Sequence, residues 1–431
     1  MAESRTLRVD ALARVEGEGA MTVRVADGRV ETVELDIFEP PRFFEGFLKG
    51  RTYLEPPDIT ARICGICPVA YQVSSCNAIE DALGIEVEES VRDLRRLLYC
   101  GEWIQSHTLH VYLLHAPDFL GYESAVQMAA DHAGVVQRGL NLKKIGNELM
   151  EAVGGRAVHP INVRVGGFYR APTRAELLAH REALERARED ALATVRWVGG
   201  FEFPDLHQDH PFVALHRPDR YAIEDGRLVS STGLDLSPPE WPLHFEERQV
   251  EHSTALHAVM DGERHYLVGP QARYALNHAQ LSGVACEAAR DAGLGPECRN
   301  PFQSIVVRAV ELVEACHEAL AIVDRYEPPE RPYRDAEPRS ASGHGWSEAP
   351  RGLLYHRYDL NDDGTIRACT IVPPTSQNQA SVEDDLRRFV GAHLDLGDDE
   401  LQWHCEQAIR NYDPCISCST HFLTLKIEGS R

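Results

Sequence analysis

The chain has 431 residues, of which 44 are basic and 67 are acidic, so its formal net charge is −23. A surface this negative repels nucleic-acid phosphates and anionic lipid headgroups, so nucleic acid is not an expected partner. With 43% hydrophobic and 26% charged residues, the composition is that of a globular protein with a sizeable core.

Residues 1–10, MAESRTLRVD, lack the basic and apolar regions of a secretory signal. The chain has no run of about 18 apolar residues, so we expect no direct membrane span. Its eleven cysteines are an odd set spread over a long chain, which fits a reducing compartment better than a disulfide scaffold. Thiolates are therefore available for metal binding.

Two kinds of hydrophobic periodicity follow one another along the chain. Alternation over residues 7–38, interrupted by the turn signal ADGR, predicts an antiparallel N-terminal sheet. Apolar residues at helical spacing then predict four long helices. These helices cover residues 89–115, 133–155, 173–200 and 301–326. Their lengths favour a long helix bundle, so the predicted fold class is α+β and mainly helical.

The remaining segments predict a mixed insertion and a smaller C-terminal part. Residues 201–272 are strand-rich, and residues 327–345 are rich in Pro and Ser, which indicates a surface loop before two short strands. Helices are expected near 381–394 and 398–410. No linker separates domains, so we expect one domain over 1–431. Its expected parts are the N-terminal sheet in 1–60, the helical core in 61–200 and 301–326, the mixed α/β insertion in 201–300, the metal-binding part in 345–421, and a tail at 422–431.

Two cysteine pairs with the same spacing lie near opposite ends of the chain. Cys64 and Cys67 occur in RICGICP, and Cys415 and Cys418 occur in DPCISCSTH. One pair alone fits a redox couple, half of a zinc site or two unrelated core cysteines. Two converging pairs would form a four-thiolate site suited to zinc, an iron-sulfur cluster or nickel.

A structural zinc staple is the commonest use of such spacing. Two observations weigh against it here. Zinc ribbons separate their pairs by tens of residues, whereas 347 residues, 68 to 414, lie between these two. A chain of this size also folds without a metal staple. The zinc-stapled structural protein nevertheless stays open as an alternative.

Several motifs together resemble those of nickel-iron hydrogenase large subunits, and they occur in the family's order. The motifs are RVEGEG at 14–19, FFEGFLKGR at 43–51, RICGIC at 62–67, GGRAVHPINVRVGG at 154–167, EAPRGLLYH at 348–356, IVPPTSQN at 371–378 and DPCISCSTH at 413–421. Within the family, the chain is most similar to cytoplasmic, bidirectional enzymes that couple dihydrogen to NAD(P), including sulfhydrogenases. The resemblance implies the hydrogenase large-subunit fold and a cytoplasmic location.

The resemblance also implies a role for each cysteine. Cys64, Cys67, Cys415 and Cys418 would bind nickel, and Cys67 and Cys418 would bridge to an iron that carries cyanide and carbon monoxide. Dihydrogen would be split reversibly, with Cys415 sulfur accepting the proton. Glu16 in RVEGEG would pass this proton toward the surface, as a carboxyl with a raised pKa can.

Further residues match the family's pocket above the metals. Arg351 would lie over the open metal face, and Asp413 would fix it by a charge-assisted hydrogen bond. Asp413 is equally compatible with a turn-starting Asp before Pro. Pro350 and Thr375 would line the pocket for the diatomic ligands.

A second metal site, for magnesium, is implied near the C-terminus. Glu45, the His421 imidazole and the main-chain carbonyl of Ile371 would be its ligands, although an imidazole is not typical of magnesium. In the family a protease removes the tail after the histidine, so cleavage is expected between His421 and Phe422. The alternation in FLTLKIEG also permits a terminal strand.

The chain has no further iron-sulfur motif and no convincing dinucleotide fingerprint. The resemblance therefore implies two kinds of partner. One is an iron-sulfur small subunit, and the other is a set of diaphorase-type subunits that carry flavin and bind NAD(P). It also implies a maturation protease and nickel-insertion proteins. A non-catalytic relative, acting as an interaction or proton-coupling subunit, is the other alternative, but such relatives lack the full cysteine set.

Overall fold

The computed structural model describes residues 4–420, so His421 and the tail at 422–431 lie outside the described residues. The strands are β1 Ser4–Val9, β2 Gly19–Ala26, β3 Arg29–Ile37, β4 Val163–Arg164, β5 Gly167–Phe168, β6 Val213–His216, β7 Arg227–Ser230, β8 Asp235–Leu236, β9 Phe245–Gln249, β10 Leu256–Met260, β11 Ala341–Ala349, β12 Gly352–Leu360 and β13 Ile366–Val372. The α-helices are α1 Phe44–Leu48, α2 Pro56–Thr60, α3 Pro68–Leu83, α4 Glu89–Thr108, α5 Ala116–Phe119, α6 Ala125–Asp131, α7 Ala133–Gly154, α8 Arg174–Leu178, α9 Arg181–Val198, α10 Trp241–His244, α11 Pro270–Asn277, α12 Gly283–Asp291, α13 Ser304–Arg325, α14 Pro374–Ala392, α15 Asp398–Arg410 and α16 Ile416–Ser419.

The N-terminal sheet is antiparallel, as predicted, with strand order β1-β2-β3. Asp27 and Gly28 form the tight turn between β2 and β3, with φ of 52° and 71°. The predicted alternation from residue 7 is interrupted, because residues 10–18 leave the sheet. Arg14 in this segment pairs at 2.5 Å with buried Asp118 beside the helices, which draws the segment toward the bundle.

The predicted helix bundle consists of α4, α7, α9 and α13. Helices α4 and α7 approach closely at two glycines: a Cβ on Gly146 would lie 2.7 Å from the backbone nitrogen of Gln105. After α4 the chain continues as a π-helical segment, Leu109–His115. The single helix predicted for 173–200 is wrong, because it is divided between α8 and α9.

Helix α3 directly follows the first cysteine pair and escapes periodicity analysis because nearly all of its faces are buried. It packs on β11. The predicted loop 327–345 is too long, since β11 begins at Ala341. The glycines of β11 suggest a loop in the sequence, but their lack of a side chain allows α3 to pack closely on the strand. A Cβ on Gly345 would lie 2.3 Å from the Ala78 nitrogen.

We expect Gly345→Ala to lower the free energy of unfolding by about 2 kcal/mol, since overpacking a filled interface costs roughly 1–3 kcal/mol. Gly391→Ala in α14 is the matched control, because a Cβ there meets no atom within 4 Å. Thermal denaturation of both variants measures the difference. Equal melting of Gly345→Ala and the wild type would contradict the tight α3–β11 contact.

The C-terminal part joins a sheet to a long helix. Strands β11, β12 and β13 form an antiparallel sheet, and α14 starts just after β13 and packs against β3 and β10. The predicted start near 381 is seven residues late, so Thr375 lies in the first turn of α14. None of the helices between residues 4 and 420 has both the length and the apolar composition needed to cross a bilayer.

Candidate metal centre

The two cysteine pairs meet at one buried site. The four Sγ atoms of Cys64, Cys67, Cys415 and Cys418 all lie within 4.8 Å of one another. Cys64 and Cys415 sulfurs are 3.3 Å apart, and those of Cys67 and Cys418 are 3.7 Å apart. Each of the four residues is at most 2% exposed. The chain thus closes a four-sulfur cage with residues from its two ends.

Local helix signals hold the first pair. Cys64 ends a 3₁₀ turn, and Cys67 lies just before α3, whose first residue is Pro68. Proline suits this position because its ring fixes a helical φ and no amide donor is lost. The carboxylate of Glu102 on α4 accepts hydrogen bonds from the Val69 and Ala70 amides, at 2.6 and 3.2 Å. The loop is therefore anchored to the bundle.

The second pair is held by the N-terminal loop and by α14. The Cys415 amide donates to Thr375 Oγ1 at 3.1 Å, and the Ile416 amide donates to the Glu16 carbonyl at 2.9 Å. Gly17 permits this contact: its φ is 94°, and a Cβ there would lie 2.6 Å from Ile416 Cβ. Gly17, the first glycine in RVEGEG, therefore lets the N-terminal loop approach Cys415.

Arg42 links the two cysteine segments and was not predicted. Its Nη2 donates to the Ile63 carbonyl at 2.6 Å and also to the Ser417 carbonyl. Its backbone amide donates to the Thr420 carbonyl at 2.8 Å. Arg42 and Glu102 bind backbone groups of distant segments, so a sequence motif gives little sign of either role. The adjacent motif beginning at Phe43 was the only hint for Arg42.

Glu16 lies beside the cage, whereas its neighbour Glu18 is exposed. Glu16 Oε2 is 3.2 Å from Cys415 Sγ and accepts from the Ser417 amide at 3.1 Å. Burial, followed by the negative charge of Cys64, raises the Glu16 pKa above its usual value. The Ser417 hydroxyl donates to Glu39 at 3.0 Å, so a second carboxylate lies next to Ser417, in addition to Glu16.

Arg351 and Asp413 form a buried pair next to the cage. Arg351 Nε donates to the Asp413 carbonyl at 2.7 Å, and Nη2 donates to its Oδ1 at 3.1 Å. Nη1 is buried and has no hydrogen-bond partner among residues 4–420. Burial alone would lower the Arg351 pKa, but Asp413 and the charges of Cys415 and Cys67 raise it well above its usual value. The guanidinium is thus a fixed cation with one spare donor nitrogen.

The two expected pocket residues are placed differently. Thr375 contacts the cage through the Cys415 amide, and it lines a small cavity together with Arg351 and Pro414. Pro350 lies immediately before Arg351 in a buried turn, where its carbonyl accepts from Arg273 at 2.8 Å. Pro414, which follows Asp413 and was not predicted, lines the cavity.

The expected magnesium ligands Glu45 and Ile371 lie together, on α1 and β13. Glu45 Oε1 accepts from the Ile371 amide at 2.8 Å. His421 is outside the described residues. Glu247 on β9 is a further carboxylate near Glu45 that was not predicted: burial and the Glu45 charge raise its pKa to about 8. An isolated Glu in a strand gave no signal for this.

Thiol chemistry in the cage favours metal binding. Hydrogen bonds from Cys415, Cys418 and Cys67 hold the pKa of Cys64 well below its usual value. Burial raises the pKa of Cys415 well above the usual value. Four soft donors around a common centre, beside a fixed cation, fit a thiophilic metal whose binding displaces the remaining protons. The cage thus fits nickel on its donor set, although the same donors also bind zinc.

Comparison with known proteins favours nickel over zinc. The family model for nickel-dependent hydrogenases matches residues 42–153 and 274–421, which include all four cage cysteines. The chain belongs to the nickel-dependent hydrogenase family. It is the large subunit of a nickel-iron hydrogenase, and the expected enzyme class is confirmed.

Relatives of this hydrogenase match it over nearly its full length. The alpha subunits of sulfhydrogenases 2 and 1 of Pyrococcus furiosus are both 33% identical to it. Each match covers 97% of this chain, and 100% and 98% of the respective relative. A chain of the vhu F420-non-reducing hydrogenase of Methanocaldococcus jannaschii is 28% identical, over 88% of this chain and 97% of the relative.

Solved structures confirm the predicted fold class. An NAD⁺-reducing [NiFe]-hydrogenase in the H₂-reduced state has a TM-score of 0.87 and 27% identity, covering 98% of this hydrogenase and all of that chain. The [NiFeSe]-hydrogenase of Dm. baculatum has a TM-score of 0.78 at 21% identity, covering 97% and 100%, and shows the same fold.

Proposed function

We propose that this subunit reversibly oxidises dihydrogen to protons and electrons, and that the electrons pass through an iron-sulfur small subunit to NAD(P). The carrying observation is the four-thiol cage between Glu16 and Arg351. The likeness to sulfhydrogenase alpha subunits and to an NAD⁺-reducing hydrogenase supports the choice of acceptor. Because both ends of the chain build the site, residues 1–431 act as one functional domain.

Cys64, Cys67, Cys415 and Cys418 would hold nickel, with Cys67 and Cys418 shared with an iron that carries cyanide and carbon monoxide. This metal pair would supply the polarisation of dihydrogen and take up its two electrons. The protein keeps the thiolates buried and fixes their positions through α3, α14 and the Arg42 contacts. A preformed cage of this kind lowers the reorganisation needed during the reaction.

The proton leaves through side chains of this chain. Cys415 sulfur receives it and Glu16, 3.2 Å away, accepts it next. The raised pKa of Glu16 suits a group that must both take and release a proton. Ser417 binds Glu16 through its amide and half-buried Glu39 through its hydroxyl, so Glu39 would be the next carboxylate beyond Glu16 toward solvent.

Arg351 would act on the iron ligands or on bound dihydrogen, and not on the departing proton. Its Nη1 donor would hydrogen-bond an anionic iron ligand or polarise bound dihydrogen, while Asp413 fixes its orientation. A guanidinium suits this role because its charge is permanent and its planar donors are rigid. Pro350 and Thr375 hold the turn and the Cys415 amide that frame this pocket.

Glu45, the Ile371 carbonyl and His421 would bind a magnesium ion close to Glu247, whose pKa of about 8 leaves its carboxyl largely protonated near pH 7 without the ion. Removal of residues 422–431 after nickel insertion would leave His421 as the C-terminus. Nickel-insertion proteins and a maturation protease are the partners for this step. An intact mass of the active protein that still includes the tail would contradict it.

The path for electrons requires a partner protein. Among residues 4–420, the only group of cysteines able to hold a metal is the cage itself. Val158 and Ile161 are 53% and 52% exposed, and neighbouring His159 bonds the Ala61 carbonyl just before the first cysteine pair. We assign this apolar surface to the iron-sulfur small subunit. Flavin and NAD(P) would then lie on further diaphorase-type subunits in the cytoplasm.

The test is metal analysis and infrared spectroscopy of the purified complex, with Cys418→Ser compared against Cys405→Ser. Cys405 is equally buried but lies in α15, away from the cage. We expect nickel and sharp cyanide and carbonyl bands in the wild type and in Cys405→Ser, and loss of both in Cys418→Ser. Stoichiometric zinc without these bands would establish the zinc staple instead. Intact bands without any dihydrogen turnover would favour the non-catalytic alternative.

A further inference from the structure

A second group of metal-type side chains lies away from the cage, at the junction of β3, β10 and α14. His252 precedes β10, His257 lies in β10, and Glu383 lies in α14. One donor atom from each residue lies within 4.8 Å of the other two. Since these residues come from separate segments, their convergence is a product of the fold.

The donors are only partly used by the protein. His252 Nε2 is 2.7 Å from Glu383 Oε1, and this oxygen also accepts from the Leu35 amide at 2.8 Å. His257 is 6% exposed, yet its Nε2 has no hydrogen-bond partner among residues 4–420. A buried polar atom without a partner carries the full cost of its desolvation. The cluster therefore lacks one interaction that a cation would supply.

The cluster can be reached from solvent. Asp384, the residue after Glu383, is engaged with His265 Nδ1 at 2.5 Å. The side chains of His252 and Glu383 are 25% and 16% exposed, which leaves an approach from solvent.

We propose that His252, His257 and Glu383 form a binding site for a divalent first-row transition ion, with Zn²⁺ the best match. Two imidazoles and one carboxylate are a common zinc ligand set, whereas magnesium prefers oxygen donors alone. Donors around tetrahedral zinc lie about 3.4 Å apart, given bonds of roughly 2.0–2.1 Å. His252 Nε2 and Glu383 Oε1 are 2.7 Å apart and no donor pair in the cluster exceeds 4.8 Å, so small side-chain rotations would place the three donors around one ion.

The ion would join α14 to β10 and to the segment before β10, while Glu383 also accepts the Leu35 amide of β3. Glu383 is eight residues after Thr375 on α14, which corresponds to about 12 Å along the helix. Because Thr375 accepts the Cys415 amide, α14 connects the two sites. The assigned role is to hold α14 against β3 and β10, and it does not depend on which metal occupies the cysteine cage.

The test uses the purified complex, stripped with a chelator and then dialysed against Zn²⁺. Zinc per large subunit is measured for the wild type, Glu383→Gln and His252→Gln. Glu383→Gln retains an acceptor for the Leu35 amide, and His252 is partly exposed, so both variants are expected to fold. His244→Gln is the control, since His244 pairs with Asp261 at 3.0 Å and no third donor joins them within residues 4–420.

We expect one zinc equivalent in the wild type and in His244→Gln that is lost in the other two variants, with zinc affinity reduced more than tenfold. Zinc-edge X-ray absorption should show nitrogen and oxygen ligands near 2.0–2.1 Å for this equivalent, whereas zinc in the cage would show sulfur near 2.3 Å. Zinc should also raise the melting temperature of the wild type but not of Glu383→Gln. Equal zinc content in all four proteins, or sulfur ligation only, would overturn the proposal.

Discussion

Glu16→Gln is expected to reduce dihydrogen oxidation by about 100-fold or more, because general acid–base groups contribute roughly 10²–10⁴ to rates. The glutamine can still accept from the Ser417 amide, so the loop should keep its position. It cannot carry a proton away from Cys415. Nickel content and the cyanide and carbonyl infrared bands should therefore stay at wild-type levels, which separates a proton-transfer role from a structural one.

The matching measurement is formation of HD from D₂ in ordinary water, which requires solvent protons to reach the site. This exchange should fall together with turnover in Glu16→Gln. Glu18→Gln is the control, since Glu18 is exposed and its side chain is two residues along the same motif. Wild-type exchange in Glu16→Gln would place the proton route elsewhere. Loss of nickel would instead make Glu16 a structural contact of the Cys415 loop.

The sequence predicts an element well where one of its faces differs from the others. Helix α4 has charged residues opposite its apolar face, and its start was predicted correctly at Glu89. Helix α3 is buried on almost every side and lacks such a pattern, so it was missed although it directly follows Cys67. Strand β11 was not predicted, because Gly343 and Gly345 suggest a loop until the proximity of α3 is known.

The residues of the candidate site also differ in how clearly the sequence shows them. The four cysteines, with Glu16 and Arg351, lie in short motifs whose local spacing is visible in the sequence, and the structure brings all six together. The residues that hold the cage in place act over long separations. Arg42 reaches the Ser417 carbonyl and Glu102 reaches the α3 amides, and any helix or loop can carry such residues for other reasons.

Arg351→Lys is expected to lower dihydrogen turnover by about 100-fold, because removal of one preorganised donor costs roughly 10²–10³ in rate. Lysine retains a positive charge but cannot bond the Asp413 carbonyl and carboxylate while also presenting a separate donor to the pocket. The cysteines do not change, so nickel content should persist. The infrared bands should shift, since the proposed donor to the iron ligands is lost.

Arg95→Lys is the matched control for this substitution. Arg95 is also buried and makes a bidentate pair, with Glu80 at 2.8 and 2.5 Å, but it lies on the far part of α4 from the cage. Arg95→Lys should lower the stability of the protein, because weakening a buried pair leaves a charge poorly compensated. Turnover per nickel should stay unchanged. If both variants lose the same fraction of activity per nickel, the effect of Arg351 is one of folding. If Arg351→Lys alone loses turnover with shifted bands, the guanidinium acts at the metal pocket through its donors as well as its charge.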